Sequence, residues 1–480
     1  MKISNMDVDA ILANVRQQLQ DDKTLSPSLR AAIEMMMVLI QMMTGRLNTN
    51  STNSSTPPSQ DPNRPKKSRS KGERKPGGQP GRIGKTLQRV EEPDAIKTVK
   101  VDRRTLPKGS AFRVVGYEKR QVFDLDISRF VTEYQAEILE NEQGQRVTAP
   151  FPAGVDRPVQ YGPRLKAHAV YLSQYQLLPY ERVREYFEDQ VGIPLSAGSL
   201  FNFNQDAFDK AEGFEHWVKD RLAESVLIHA DETSINIGGQ RRWLHCASND
   251  DLTWLAPHAH RGHEAMEAIG ILPRFHGVLC HDHWKPYYRY QCRHALCNAH
   301  HLRELQRAWE QDKQTWAQRM QTLLCTMEDA VKSAGGSLPP EKAEGWRKAY
   351  RQCLKKAEDE CPPPDENQRQ GKRGRLKRSR ARNLLERLRD YEADVLRFLD
   401  DPAVPFTNNQ GERDIRMLKV QQKISGCFRS MDGAQIFCRV RSYLSTARKQ
   451  NLSGSEALTL LFEGRLPTFM AAPSDNPKTF

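Results

Sequence analysis

Apolar residues recur at helical spacing in the first 47 positions, at Ile11, Val15 and Leu19 and again at Ile33, Met36, Ile40 and Met43. That spacing predicts two short amphipathic helices. Their apolar stripe suits ordinary packing or pairing with a partner chain, and the repeat is too brief to define a coiled coil. Residues 48–94 then turn to Ser, Thr, Asn, Pro, Gly and basic side chains, too poor in apolar surface to offset the entropy of ordering, so a flexible linker is expected. Residues 95–157 alternate apolar and polar, with Val122–Ile127 and Phe130–Tyr134 the clearest strand-like runs, until prolines break the pattern; a small β-containing module is predicted.

Residues 158–222 read as helical. One run ends at Gly192, Pro194 follows, and Ser196 is placed to cap a second helix carrying Leu200, Phe201 and Phe203. This is the outline of a helix-turn-helix, shared by DNA-reading units and by many packed helical pairs.

From residue 223 the period changes to two. Residues 225–237 form a predicted strand with Asp231 in its middle, and Gly238-Gly239 supplies the hairpin turn that positive φ allows. Strands over Arg242–Ala247 and Leu252–Ala256 follow, then a helix from Arg261 to Leu272, then a buried strand through Gly277–Cys280 that ends at His281-Asp282-His283. Three antiparallel strands, a helix and a further strand make the ribonuclease-H-like order, in which the first and fourth strands lie side by side. Asp231 and Asp282 are therefore expected together. The chain is helical from about 303 to 404. Another helix is predicted near Thr407, where Thr407-x-x-Gln410 has the capping-box form; it carries Asn408, Glu412, Arg416 and Lys419 on one face.

Charge adds a partner class. Lys and Arg number 73 against 60 acids, a formal +13, which favours a polyanion. Ten of these cations lie within residues 64–89 beside the single acid Glu73, and ten more within 369–389 beside Glu386. Lys66, Lys67, Arg69, Lys71, Arg74 and Lys75 of the first cluster have the density for phosphate contact; a solvated charged arm is the competing reading. The longest apolar run, near Met35–Ile40, falls far short of the roughly 20 residues that span a bilayer. Nine cysteines, none before Cys246 and none in a CxxC pair, fit a reducing compartment, and a cytoplasmic, nucleoid-associated protein is expected.

Two clustered carboxylates repel unless a divalent cation compensates them. Oxygen donors with sparse protein coordination suit Mg²⁺, with Mn²⁺ as a substitute. His229-Ala-Asp-Glu-Thr233, Asp282-His-Trp-Lys-Pro-Tyr287, Cys297-x-x-His300 and Asn408-x-x-x-Glu412-Arg-x-x-Arg416 together resemble the bacterial insertion sequence 66 transposase family over roughly residues 158–460, and Lys75–Gly81 resembles the family's N-terminal linker.

The resemblance implies a catalytic core in two parts, 223–302 and 405–460, separated by a helical insertion over 303–404 and followed by a tail over 461–480. It implies Asp231, Asp282 and Glu412 as metal ligands and catalytic residues, and terminal inverted repeats and target DNA as partners. A homo-oligomer on DNA and accessory proteins of the same element complete the expectation. Two ions about 3.5–4 Å apart would serve in-line displacement, first exposing a 3′-hydroxyl and then joining it to target DNA. Lys285, Arg413, Arg416 and Lys419 are the expected phosphate contacts. Family members commonly carry paired zinc-binding cysteines in the region matching 95–150. This chain has none there, which leaves end recognition to the basic arm or the helix pair.

Each residue also has a plainer reading. A single Asp at a strand end is usually structural, and only the triple coincidence favours catalysis. Glu232 is expected on the opposite, solvated face of its strand. Cys297 and His300, with Cys292 and His301 nearby, have zinc-ligand chemistry, but irregular spacing favours buried packing over zinc. Trp284 and Tyr287 either stack on an unpaired base or wall the site. The competing functions are a catalytically silent, transposase-derived DNA-binding protein and a metal nuclease that cuts without joining.

Overall fold

The computed structural model describes residues 2–3, 6–22, 24–54, 61, 63, 86–109, 111–365 and 376–471. The basic arm with Lys66, Lys67, Arg69, Lys71, Arg74 and Lys75 lies outside them.

Two helices open the chain, α1 (Val8–Asp21) and α2 (Pro27–Leu47). Leu12, Leu19 and Met37 bury against one another between them. Ser26 starts α2 by accepting the Leu29 amide, with Pro27 at the first helical position.

Between residues 86 and 160 the expected strands are mostly not formed. Among the described residues there, one hairpin pairs β1 (Ile138–Glu140) with β2 (Arg146–Thr148). Val122, Phe123, Leu125, Phe130 and Val131, which carried the strand prediction, are exposed on extended chain. Alternation makes a strand only where a second layer buries the apolar face, and the described residues supply none here.

The helical region has the predicted punctuation. After α3 (Pro163–Val170), α4 (Tyr180–Val191) ends on Gly192 at φ +65°, and Ser196 caps α5 (Ala197–Lys210) by accepting the Ser199 amide. Leu200 and Phe203 of α5 are buried in the main core, while Phe201 stays exposed. α6 (Glu212–Ala223) follows.

A five-stranded mixed sheet organises the rest: β3 (Leu227–Ile237), β4 (Gln240–Ser248), β5 (Thr253–His258), β6 (Val278–His281) and β7 (Arg293–Leu296), in spatial order β5-β4-β3-β6-β7. The β3–β4 and β4–β5 pairs are antiparallel, and β3–β6 and β6–β7 are parallel. Gly238 and Gly239, at φ +58° and +79°, turn β3 into β4. The short helix α7 (His263–Ile269) precedes β6. β7 has no counterpart in the sequence reading, because four residues around Ala295 and Leu296 leave too little alternation to register.

Both faces of the sheet are covered. Ile228, Ala230 and Leu279 pack into a core shared with α3–α6, α14 (Met431–Lys449) and α15 (Gly454–Phe462). Val278, Cys280, Ala295 and Leu296 face the opposite side, where α8 (Asn298–Glu310), α9 (Thr315–Ser333), α10 (Pro340–Glu360), α11 (Arg380–Asp390) and α12 (Glu392–Val395) form the expected helical insertion with its own core. α13 (Asn409–Ser425) lies over β3 and β4, burying Ile415 and Leu418 against Ile235, Ile237 and Leu244.

Candidate active site

Strand register brings the two aspartates together. His229 of β3 pairs with Cys280 of β6 in parallel, and Asp231 and Asp282 each lie two residues further along. Side chains alternate in strands, so both carboxylates project on the side that α13 covers. Asp282 sits just past the end of β6, where its Oδ1 accepts the Trp284 amide at 3.1 Å and His283 takes φ +70°. That turn holds one carboxylate oxygen while the chain reverses. Asp231 Oδ1 accepts the Glu232 amide at 2.9 Å.

The third acid arrives from α13, whose N-terminus differs from the expected capping box. The helix begins at Asn409, one residue after Asn408, and the Asn408 side chain makes no cap bond. It reaches the sheet instead: Nδ2 donates to the Ala230 carbonyl at 2.9 Å, and Oδ1 meets His229 Nδ1 at 2.7 Å. With the amide donating from one end and accepting at the other, His229 carries its proton on Nδ1. Gly411 lets the backbone come close, since a methyl there would lie 3.5 Å from Asp231 Cβ and 3.4 Å from the Asn408 amide. Glu412, the next residue, is thereby brought within electrostatic reach of Asp231. Arg303 of α8 approaches it at 4.0 Å.

The electrostatics follow from this crowding. Asp231 keeps a small opening to solvent, yet the surrounding protein strips most of its water. Desolvation first, then Glu232, Asp282 and Glu412, raise its carboxyl well above the usual range. All three candidate ligands offer hard carboxylate oxygens, a donor set that fits Mg²⁺ or Mn²⁺, and a divalent cation would relieve their repulsion.

Glu232 corrects the sequence reading. Its side chain is 1% exposed, accepts two bonds from Arg261 at 2.7 and 3.0 Å, and takes the Tyr287 hydroxyl. The strand's second face is not solvated here, because the main core covers it. Arg261 in turn lies 4.3 Å over the Trp284 ring and 5.0 Å over Trp243. Tyr287 is buried in the main core and held by Glu232, which leaves no exposed ring for a base to stack on. Trp284 remains partly exposed, with one face covered by Arg261.

Lys285, three residues past Asp282, and Arg413 and Arg416, one and four residues past Glu412, are exposed. Lys419 is engaged: its Nζ donates to the Ser234 carbonyl at 2.7 Å and ties α13 to β3. Cys297 stands at the N-cap position of α8 and accepts the Asn408 amide at 3.1 Å, and it lies with His300 and Glu412 in one cluster of ligand atoms.

The Transposase IS66 family model matches residues 158–436, more than half of the 480-residue chain. The chain belongs to the IS66 transposase family. A model for a family of unknown function matches residues 5–88, and no curated protein matches the chain. In this IS66 family member the matched stretch starts before α3 and ends inside α14, so it takes in the whole five-stranded sheet, the insertion and α13. Membership brings a transposase role, and with it DNA as partner. No helix among the described residues is long and apolar enough to cross a membrane.

Sequence reasoning missed Arg261 and Arg303 in this IS66 transposase. Arg303 follows His300 by three positions on α8, so helical spacing alone could have placed it beside the site. Arg261 gave no local signal, because its partner Glu232 is 29 positions away.

Proposed function

We propose that this transposase cuts and joins DNA with divalent cations held by Asp231, Asp282 and Glu412 on a ribonuclease-H-like sheet. The convergence of these acids from β3, the end of β6 and α13, on a face bordered by exposed Arg413, Arg416 and Lys285, carries the reading. Bound Mg²⁺, two ions in this scheme and replaceable by Mn²⁺, would supply Lewis-acid polarisation and charge neutralisation at the phosphate.

The protein's own groups do the rest. Asp231 and Asp282 are held from adjacent strands, so their separation is set by the sheet, whereas Glu412 is set by the Asn408 tether. Arg413 and Arg416 clamp flanking phosphates through charge-assisted bonds. Hydrolysis at a transposon end exposes a 3′-hydroxyl, which then attacks target DNA without a covalent protein intermediate. The exposed apolar row Met35, Met36, Leu39, Met42 and Met43 on α2 supports an oligomer on DNA, and accessory proteins of the same element join it.

The test is incubation with the element's terminal inverted repeats and Mg²⁺. Wild-type protein releases 3′-hydroxyl ends and yields strand-transfer products. Asp282→Ala reduces cleavage at least about a thousandfold, since several kcal/mol of charge stabilisation are lost and each 1.4 kcal/mol is tenfold. Equal cleavage by that variant overturns the assignment. Cleavage without joined products identifies a nuclease, and salt-sensitive binding without cleavage a silent DNA-binding protein.

A further inference from the structure

Glu412 belongs to two donor sets. Toward β3 and β6 it completes an all-carboxylate triad. Toward α8 it meets Cys297 and His300: the Cys297 sulfur, a His300 ring nitrogen and a Glu412 oxygen all lie within 4.8 Å of one another. Thiolate, imidazole and carboxylate are the ligands of zinc-like borderline cations rather than of Mg²⁺. Three protein ligands with a fourth position open make up the usual accessible zinc site.

Local structure prepares these groups. Cys297 holds the N-cap position of α8 without a side-chain cap bond, and its sulfur accepts the Asn408 amide at 3.1 Å. That N–H donates equally to a thiolate once it forms. His300 lies one turn into the same helix, and its Nδ1 is buried without a hydrogen-bond partner. A buried unpaired nitrogen is destabilising, and a cation would satisfy an imidazole that the protein leaves short. Arg303 opposes a cation here: it approaches Glu412 at 4.0 Å with its side chain 30% exposed, and binding requires it to turn outward. Zinc–sulfur and zinc–nitrogen bonds of about 2.3 and 2.0–2.1 Å require tetrahedral donors about 3–4 Å apart, so the cluster closes by about an ångström to bind.

We propose that Cys297, His300 and Glu412 bind a thiophilic divalent cation such as Zn²⁺, and that this cation inhibits DNA cleavage by drawing Glu412 away from Asp231 and Asp282. Binding forms the metal–sulfur bond and releases the Cys297 proton to solvent; no electron is transferred. The binding claim stands on the cluster alone, while the inhibition claim rests on the DNA-cutting reading above.

Full-length, metal-free protein titrated with Co²⁺ separates the two. One equivalent gives a thiolate-to-cobalt charge-transfer band in the near ultraviolet, and Zn²⁺ displaces it. Cys297→Ser abolishes the band, His300→Ala weakens Co²⁺ affinity at least about tenfold, and Asp282→Ala retains the band. Circular dichroism establishes that each variant is folded, and Cys297→Ala replaces the serine variant if that one is not. A wild-type protein without the band, or an undiminished band in folded Cys297→Ser, overturns the site. In the cleavage assay, Zn²⁺ inhibits the wild type, and the inhibiting concentration rises at least about tenfold in His300→Ala. Equal zinc sensitivity overturns the shared-ligand claim. If wild-type protein does not cleave DNA at all, the DNA-cutting reading fails while the cobalt result still judges the site.

Discussion

His229 and Asn408 are 179 positions apart and meet at 2.7 Å, and through that contact the helix bearing Glu412 is fastened beside Asp231. Asn408 is 1% exposed. Replacing it with Ala leaves the Ala230 carbonyl and His229 Nδ1–H buried without partners, at about 1–3 kcal/mol of stability. DNA cleavage should fall further than stability explains, because Glu412 loses its register. Urea unfolding and end-cleavage rates on the same preparation check this; a loss in stability with cleavage unchanged would show that the tether does not position Glu412.

Arg261 holds the buried carboxylate of Glu232 while lying between two tryptophans. Arg261→Ala leaves that acid with only the Tyr287 hydroxyl, and the expected destabilisation is about 2–3 kcal/mol. Restoring neutrality with Arg261→Ala/Glu232→Gln should recover more than half of it. A double-mutant cycle by thermal or chemical unfolding measures the coupling, and purely additive losses would contradict it.

The crowding at Asp231 has a pH signature. Its folded carboxyl titrates well above its ordinary value because burial and neighbouring acids disfavour the charge. Between those two values the folded protein binds the proton that the unfolded chain releases, so this contribution is fully present at low pH and is lost as pH rises through the folded value. Asp231→Asn removes that burden. In chelator-treated protein the variant should be more stable than wild type near pH 8, with the gap closing toward about pH 5. Mg²⁺ should narrow the gap by stabilising the wild type alone. Differential scanning calorimetry across that range decides; a variant no more stable than wild type near pH 8 refutes it.

Gly277 opens the strand that delivers Asp282, and a methyl there would run into the carbonyls of Ser225 and Val226 and the Phe275 ring. Backbone atoms cannot step aside cheaply, so Gly277→Ala should destabilise by about 2–3 kcal/mol. Gly411→Ala meets its neighbours at 3.4–3.5 Å, and its gain in helix propensity of about 1 kcal/mol offsets the tightness; its stability should match wild type. Equal unfolding midpoints for the two variants would contradict this contrast.

Four strands of the five-stranded sheet were legible because their signals are local: alternation, a Gly-Gly turn and a helix between strands. The aspartate pair rested on strand order as well as on the family resemblance. Glu412 was reachable only through the family resemblance and its helix face, since 130 positions separate it from Asp282. What stayed hidden depended on layers. Glu232 was expected in water because one strand cannot reveal that both of its faces are covered, and Val122–Ile127 was expected in a sheet because one strand cannot reveal that none of the described residues covers it. Lys419 carried the right charge for phosphate, but Ser234, 185 positions away, engages it first.

The helical insertion departs and returns at nearly the same point. Asn298 donates to the Phe406 carbonyl at 3.1 Å, and Asn408 donates to the sulfur of Cys297, 111 positions earlier. Seen from the sheet, five helices amount to one closed loop. Chain entropy grows only logarithmically with loop length, so closing it costs about 2 kcal/mol more than closing a ten-residue turn. A sheet joined to its appendage in this way tolerates changes in the appendage's size far better than any shift in the four residues where the loop is pinched shut.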